Sequence, residues 1–314
     1  MAQPGRLRST VGTADVARGG LHGHAVDRWD SRNGCLGPPA VYSVGVSPVL
    51  VKEGTYIHGT EAGEQARLAT LNALTNKAFT DWLSLRGSEV VLEVGSGLGI
   101  LAAEVARRVR DGAVYSVERL PEQVATAKGN IGLPNLHVVL GDAHDLPFAS
   151  GSFEVAYARY VLEHVGDPHR VLAEMHRVLR SAGRVFVQEN DISLLRLDPD
   201  CPAFNRVWRQ FGLLQARLGG DAFVGRRLFG LLRAAQFKDI VLSTQPEVHW
   251  SGSPGFSPWI ENLIGNLRSA ARALVAEKLS SAEEIEAAVV ELQVLRERDD
   301  GAAWFSWNRA RGRK

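Results

Sequence analysis

The stretch VVLEVGSGLGILAAEVARRV, residues 90–109, constrains the fold of this chain more than any other. An apolar run is followed by Gly95, Gly97 and Gly99 and then by apolar residues at helical spacing. A strand that passes through a glycine-rich turn into a helix places backbone N–H groups at the helix N-terminus, where they can bind a polar ligand. The stretch therefore predicts a strand–loop–helix unit that binds a ligand, although glycines alone also fit a tight turn without one.

Strand patterns alternate with helix patterns along most of the remaining chain. Strands are predicted at residues 89–94, 113–118, 136–142, 153–158, 184–190, 238–250 and 302–310. Apolar strands that alternate with helices form a parallel sheet covered on both faces, and right-handed crossovers bring the strand C-termini to one edge. We therefore predict an α/β, Rossmann-like fold with a seven-stranded, mostly parallel sheet and helices on both faces.

The chain is predicted to consist of an extension and one large domain. Residues 1–50 are rich in Gly, Arg, Ser and Pro without a regular apolar period, which predicts a disordered N-terminal extension; a targeting peptide is the alternative. Residues 51–314 form the predicted domain. Within it we predict a helical lid at 54–86, a helical substrate-side insertion at 190–236 after the fifth strand, and further substrate-side helices at 257–298.

Charge and cysteine content narrow the classes of partner. A formal net charge of +1 gives no general attraction to nucleic acid or to an anionic membrane. Cys35 and Cys201 cannot form a disulfide framework or a four-thiolate zinc site, which favours a cytoplasmic protein without a structural metal. No apolar run approaches the roughly 20 residues that a membrane span needs. A small-molecule partner is expected, and a homodimer or higher homo-oligomer is left open.

Acidic residues stand at three successive strand ends and help to identify the ligand. Glu93 precedes the glycine loop, Glu118 ends the second strand and Asp142 follows the third. A dinucleotide fingerprint requires the spacing G-x-G-x-x-G, whereas here Gly99 comes one position early. Glu93 would make no favourable interaction with a pyrophosphate. It would pair with a cationic or zwitterionic ligand. Glu118 can accept both hydroxyls of a ribose, or can serve as an ordinary helix-start acid.

The motifs VLEVGSGLG, VERLPEQVATAK, GDAHDLPF and VLEHVGDPHRVLAEMHRVLRSAGR resemble those of class I S-adenosylmethionine-dependent methyltransferases. The resemblance is to the bacterial small-molecule subgroup related to ubiquinone and menaquinone methyltransferases, and covers about residues 54–314. It implies S-adenosylmethionine as the cofactor. The implied contacts are Tyr56 and Arg67 in the lid; Glu93, Gly95, Ser96, Gly97 and Gly99 for the methionine part; Glu118 and Arg119 for the ribose; Asp142 and Ala143 for the adenine; and Arg159, Tyr160 and Leu162 near the methyl group.

Methyl transfer from a sulfonium is an in-line displacement, so the protein mainly orients the reactants and excludes water. A base is needed only when the nucleophile keeps a proton at neutral pH. His164 is the first candidate because it follows the fourth strand, near the expected methyl donor; a structural histidine is the alternative. Glu189 and Asp191, at the end of the fifth strand, are further candidates.

Aromatic residues in the second half of the chain are the candidates for substrate selection. Trp208 and Phe211 recur at helical spacing, and His249 stands beside Trp250 in a strand pattern. Such residues line an apolar pocket for an aromatic or polyketide-like acceptor, or are simply part of the core. The preferred hypothesis is transfer of a methyl group to O, N or C of a small molecule, plausibly a secondary metabolite. An RNA or protein methyltransferase and a catalytically inactive, cofactor-binding scaffold protein are the alternatives.

Overall fold

The structure of the 314-residue chain is a computed structural model, and it describes residues 62–130 and 132–314. The predicted extension at 1–50 and Tyr56 lie outside the described residues. The described helices and strands are α1 (Ala62–Trp82), β1 (Val90–Val94), α2 (Ile100–Arg108), β2 (Ala113–Glu118), α3 (Pro121–Asn130), β3 (Leu136–Leu140), β4 (Phe153–Arg159), α4 (Pro168–Val178), β5 (Leu179–Glu189), β6 (Arg196–Asp198), α5 (Pro202–Arg217), α6 (Leu228–Ala234), β7 (Lys238–Trp250), α7 (Phe256–Ala276), α8 (Ala282–Arg296) and β8 (Ala302–Arg313). None of these helices is long and apolar enough to cross a membrane.

The strands form one mixed sheet. Strands β1 to β5 are parallel in the order β3-β2-β1-β4-β5. Strand β8 runs antiparallel to β5, β6 and β7 and pairs with all three. The described sheet therefore has eight strands, and the prediction of seven is wrong. The missed strand, β6, has three residues, which is too short for an alternating pattern to be recognised.

Alternate residues of the central strands face two different helical layers. Val91 of β1 packs with Phe79 of α1 and Leu101 of α2, whereas its neighbour Leu92 packs with Leu172 of α4. This period of two is what a strand buried on both faces requires. The prediction of a Rossmann-like, mostly parallel sheet with helices on both faces is confirmed.

A third hydrophobic core lies among α5, α7 and α8 and includes Phe305 and Trp307 of β8. Helix α6 does not belong to it, because Leu228 and Leu232 pack in the core of β4, β5 and α4. Helix α6 falls within the predicted substrate-side insertion at 190–236, but it packs on the sheet. Its assignment to the substrate side is therefore wrong. An apolar stripe shows that a helix is packed without showing against which layer it packs.

Candidate functional site

A cavity of about 260 Å³ lies where β1 to β4 end. Its floor is formed by the glycine loop and by residues that follow β2, β3 and β4. Its other walls come from α1 (Arg67, Leu68, Leu71 and Asn72), α5 (Trp208 and Phe211) and α7 (Asn262 and Asn266). The cavity thus combines the carboxyl edge of a parallel sheet, where ligands of open α/β folds bind, with a helical cover.

The glycine loop follows β1 in a conformation that glycine favours. Gly95 has φ 81° and its N–H donates to Val117 O at 2.9 Å. A Cβ at this position would lie 2.5 Å from Cγ2 of Val161, so a side chain would collide with the loop after β4. Gly97 (φ 51°) and Gly99 (φ 72°) also have positive φ, and Gly99 precedes α2. The loop therefore passes under the cavity in a shape that leaves its backbone accessible to a ligand.

Glu93 lies at the bottom of the cavity, where it is 2% exposed. Its carboxylate accepts hydrogen bonds from Tyr157 Oη at 3.0 Å and from Ser116 Oγ. Burial raises the pKa of Glu93 to about 7, although these two hydrogen bonds act in the opposite direction. A cationic ligand group beside Glu93 would favour the charged carboxylate.

Glu118 links the end of β2 to the glycine loop. Its Oε2 accepts from Gly97 N at 2.9 Å, and its Oε1 accepts from Arg119 N at 2.8 Å and Leu120 N at 3.0 Å. Glu118 therefore does serve as a helix-start acid, and it also lines the cavity, as does Arg119. A carboxylate offers about four acceptor positions, so one remains for a ligand hydroxyl.

Asp142 stands beside Ala143 on the loop after β3, and both line the cavity. Its Oδ1 accepts from His144 N at 2.8 Å and contacts His144 Nδ1 at 2.7 Å. The side-chain hydrogen bond from His144 holds the pKa of Asp142 down at about 2. Asp142 is therefore an ionised acceptor at the cavity, in a place suited to an amino group of a ligand.

Residues after β4 divide between the cavity and the core. Arg159 donates to Asn72 Oδ1 at 2.6 Å and Asn76 Oδ1 at 2.7 Å, which ties the end of β4 to α1. Tyr160 has φ 58°, and its hydroxyl accepts from the Gln188 side chain at 2.8 Å. Arg159 and Tyr160 line the cavity, whereas Leu162 is fully buried in the core with α4. The prediction that Leu162 lines the cavity is wrong, because its side chain points under the sheet edge.

The side chain of Arg67 extends from α1 to α7. Its guanidinium donates to Asn262 Oδ1 at 2.7 Å, and its aliphatic part lies against Gly265. Both Arg67 and Asn262 line the cavity. Arg67 therefore joins two of the helices that cover the cavity, rather than pointing from a solvated helix face.

The candidate bases occupy very different surroundings. His164 lines the cavity, and its side chain is 20% exposed. Glu189 lies outside the cavity, is fully buried and accepts backbone hydrogen bonds from Val161 at 3.0 Å and Leu162 at 2.8 Å. The prediction of a catalytic role for Glu189 is wrong, since its carboxylate holds the loop after β4 in place. Asp191 is likewise occupied, in an ion pair with Arg226 at 2.7 Å.

Two of the four predicted substrate residues line the cavity. Trp208 and Phe211 do so, with their rings stacked at 5.0 Å. His249 and Trp250 do not: His249 stacks on Trp259 at 5.1 Å, away from the cavity, and Trp250 is 57% exposed on β7. The prediction for His249 and Trp250 is wrong because the last residues of β7 lie beside α7 and at the surface.

Several cavity residues escaped the sequence interpretation. Asn262 and Asn266 stand four residues apart on the otherwise apolar face of α7, a signal that could have been noticed. Glu163 precedes His164 and is 6% exposed, although it too lines the cavity. Trp307 reaches the cavity from β8 and packs on Tyr160 at 4.5 Å, which only the sheet order reveals.

One polar atom of the glycine loop is unsatisfied by the described protein. Ser96 Oγ is buried without a hydrogen-bond partner among residues 62–130 and 132–314. Buried hydroxyls are nearly always paired, so a ligand in the loop is expected to contact this atom. Across the same described ranges, no group of three or more His, Cys, Asp or Glu side chains is placed to hold a metal ion.

Comparison with known proteins agrees with this fold. Residues 92–187 match the family described as "Methyltransferase domain". Over these residues the chain is similar to methyltransferase domains. In fold, the chain is similar to a structure from Bacillus halodurans C-125, solved as a methyltransferase candidate, with TM-score 0.51 and 19% identity over 76% of this chain and 98% of that one.

Two curated relatives are similar in sequence. An uncharacterized 37.1 kDa protein in transposon TN4556 of Streptomyces fradiae is 32% identical over 63% of this chain and 64% of its own length. The demethylmenaquinone methyltransferase of Beutenbergia cavernae is 35% identical over 38% of this chain and 48% of its own length. The chain thus spans less than two thirds of each of these relatives.

Proposed function

We propose that this protein is an S-adenosylmethionine-dependent methyltransferase that acts on a small molecule. The observation that carries the proposal is the placement of Glu93, Glu118 and Asp142 around one cavity, each at the end of a successive strand beside the glycine loop. The three acids suit, in this order, an amine, a ribose hydroxyl and a nucleobase amino group. S-adenosylmethionine carries all three of these groups.

The residues present fit this cofactor. The methionine part would lie at the glycine loop, where Ser96 Oγ is unsatisfied and Glu93 is buried. Glu118 would hold the ribose, and Asp142 with the Ala143 N–H would hold the adenine. Bound S-adenosylmethionine supplies a methyl group on a positively charged sulfur that leaves with the bonding electrons. Every other contribution has to come from the protein.

The contribution of the protein is orientation and exclusion of water. Helices α1, α5 and α7 cover the carboxyl edge of the sheet, and the Arg67–Asn262 hydrogen bond of 2.7 Å joins two of them. We propose that α1 belongs to the lid and that residues 51–314 form one domain. An acceptor held in the cavity would have its attacking atom aligned with the methyl carbon. His164 Nε2 would accept the proton that a phenol, enol or ammonium loses.

The helical cover favours a small acceptor over a macromolecule. Trp208 and Phe211 present a stacked aromatic wall to the cavity, which suits an aromatic or polyketide-like secondary metabolite. The net charge of +1 gives RNA no general electrostatic attraction. A cytoplasmic location is part of the same proposal and is supported by the low cysteine content. The proposal covers transfer of the methyl group to O, N or C of the acceptor.

Calorimetry tests the cofactor. We expect S-adenosylmethionine and S-adenosylhomocysteine to bind, and NAD and NADP not to bind. The Glu118→Ala variant should bind S-adenosylhomocysteine more weakly by about 1–3 kcal/mol. Binding of nicotinamide dinucleotides alone would overturn the proposal.

Mass spectrometry tests the reaction. The protein is incubated with cofactor and an extract of the producing cell, and a small-molecule product heavier by one methylene is expected. Methyl incorporation into RNA or protein alone would indicate a macromolecular acceptor. Cofactor binding without any turnover would indicate a scaffold protein.

A further inference from the structure

Glu163 is a buried carboxylate on the acceptor side of the cavity. It lies in the short 3₁₀ turn Leu162–His164 that follows β4, and it is 6% exposed. The side-chain amides of Asn190 and Gln215 donate to its Oε2, both at 3.2 Å. Its Oε1 accepts no hydrogen bond from the described residues, and the nearest ion-pair partner is His164 Nε2 at 3.8 Å. One carboxylate oxygen of Glu163, which lines the cavity, thus has no hydrogen-bond donor among the described residues.

The charge of Glu163 is not balanced by the described protein. No arginine or lysine in residues 62–130 and 132–314 forms an ion pair with it. Burial and the charge of Glu163 raise the pKa of the neighbouring Glu189 to about 8, so at neutral pH the negative charge of this pair lies on Glu163. Buried carboxylates are almost always paired, because isolated burial of a charge is costly. A cationic group of a ligand would supply the positive charge that Glu163 lacks beside it.

The other cavity walls near the acceptor side also suit a cation. Four aromatic side chains line the cavity: Tyr160, Trp208, Phe211 and Trp307. Aromatic faces attract ammonium groups by about 0.5–2 kcal/mol. Arg67 and Arg159 also line the cavity and keep their charge, because Asn262, Asn72 and Asn76 are neutral, but neither arginine forms an ion pair with Glu163. The Glu163 carboxylate and the aromatic side chains are the two kinds of group that bind an ammonium ion.

We infer that the acceptor carries an ammonium group and that Glu163 is the residue that selects it. This rests on the proposed function, because it takes the part of the cavity beyond the cofactor as the acceptor site. The ammonium hydrogens would be donated to Oε1 of Glu163, while Asn190 and Gln215 keep the carboxylate in place. The charged nitrogen need not be the atom that is methylated.

A matched pair of probes tests this inference. Tryptamine is cationic at neutral pH, and tryptophol has the same indole ring with a neutral hydroxyl. With the protein saturated with S-adenosylhomocysteine, we expect tryptamine to bind about tenfold or more tightly than tryptophol by calorimetry or ligand-observed NMR. Equal affinities, tighter binding of tryptophol, or binding of neither probe would overturn the inference.

Variants locate the effect. Glu163→Gln retains the shape and one acceptor for Asn190 and Gln215, and should reduce the affinity for tryptamine to that for tryptophol. Glu297→Gln removes the same charge from a side chain that is 73% exposed and should leave the preference intact. Retention of the preference in Glu163→Gln would overturn the role of Glu163. The comparison of probes on the unmodified protein remains decisive if Glu163→Gln does not fold.

The experiment distinguishes failure of the proposed function from failure of this inference. If S-adenosylhomocysteine does not bind to the unmodified protein, the proposed function is wrong. If it binds with no preference for tryptamine, only the selection of an ammonium group is wrong.

Discussion

Glu93 makes the stability of this protein depend on pH. Burial raises its pKa from 4.5 to about 7, so folding favours the protonated form. Its contribution to stability is fully present below pH 4.5 and is lost as the pH rises through about 7. We expect the free energy of unfolding, measured with urea at a series of pH values, to fall across this window.

The Glu93→Gln variant should lose less stability than the unmodified protein between pH 4.5 and 7. The stability of the variant should still depend on pH to some extent, because the pKa of Glu189 is also raised, to about 8. Parallel stability curves for the two proteins would contradict the assignment to Glu93.

Two glycines of the loop provide a matched test of its shape. A Cβ at Gly95 would lie 2.5 Å from Val161 Cγ2, whereas one at Gly97 would have no atom within 4 Å. Both residues have positive φ, so each alanine costs about 1–2 kcal/mol in backbone strain. Gly95→Ala should cost about 1–3 kcal/mol more and weaken S-adenosylhomocysteine binding further than Gly97→Ala. If the two variants lose the same thermal stability and the same cofactor affinity by calorimetry, the side chain of Val161 has moved to relieve the collision.

Individual site residues can be predicted from the sequence where an acidic residue stands at the end of a predicted strand. Glu93 and Asp142 could be chosen because parallel strands bring their ends to one edge. Glu189 stands at the same edge, but its oxygens are used by backbone N–H groups of the loop after β4. Glu163 was missed because its position inside a turn indicates neither its burial nor its missing partner. Strand position can be read from a pattern, whereas hydrogen-bond partners require the fold.

Besides its apolar packing, helix α1 is bound to the end of β4 through Arg159. Arg159 donates to Asn72 at 2.6 Å and to Asn76 at 2.7 Å on successive turns of α1. Its removal would leave these amides with fewer partners in a partly buried site, which costs about 1–3 kcal/mol. We expect Arg159→Met to increase hydrogen exchange along 62–82 and to weaken cofactor binding.

The matched control is Arg108→Met. Arg108 also contacts α1, through Asp81 at 2.7 Å, but both side chains are more than a third exposed. Exposed pairs contribute about 0–1 kcal/mol, so exchange in α1 should hardly change. Equal effects of the two variants would show that Arg159 does not hold the helix.

At the scale of elements, the type of each helix could be predicted, but its layer could not. Helices α5 and α6 have similar apolar stripes, yet α5 lines the cavity and α6 packs beneath the sheet. The difference arises because α6 leads directly into β7, whose pairing with β8 draws it to the sheet. Strand pairing depends on residues far apart in sequence, which local periodicity does not contain.

Over the described residues, β8 connects the parts of the molecule. Phe305 and Trp307 belong to the core of α5, α7 and α8, whereas Ala310 belongs to the core of β4, β5 and α4. Trp307 also reaches the cavity and packs on Tyr160 at 4.5 Å. The strand therefore joins the helical cover to the sheet, and damage to it should affect both.

Proline substitutions test this role of β8. Ala310 is fully buried and pairs with Val187 of β5 and Leu242 of β7, so a proline there removes a ladder hydrogen bond in the middle of the sheet. Thr244→Pro in β7 is the control. Thr244 is exposed and lies two residues before Pro246, which has no backbone N–H. Residues two apart on a strand direct their N–H groups to the same side, so Thr244→Pro should cost little.

We expect Ala310→Pro to lower the free energy of unfolding by about 3 kcal/mol or more, and to abolish near-ultraviolet circular dichroism and S-adenosylhomocysteine binding together. The two signals should disappear in one transition, because the cover and the cofactor loop depend on the same strand. Loss of the dichroism with retained cofactor binding would show instead that the cover unfolds independently of the sheet. An equal effect of Thr244→Pro would show that β7, rather than β8, limits the stability of this half of the sheet.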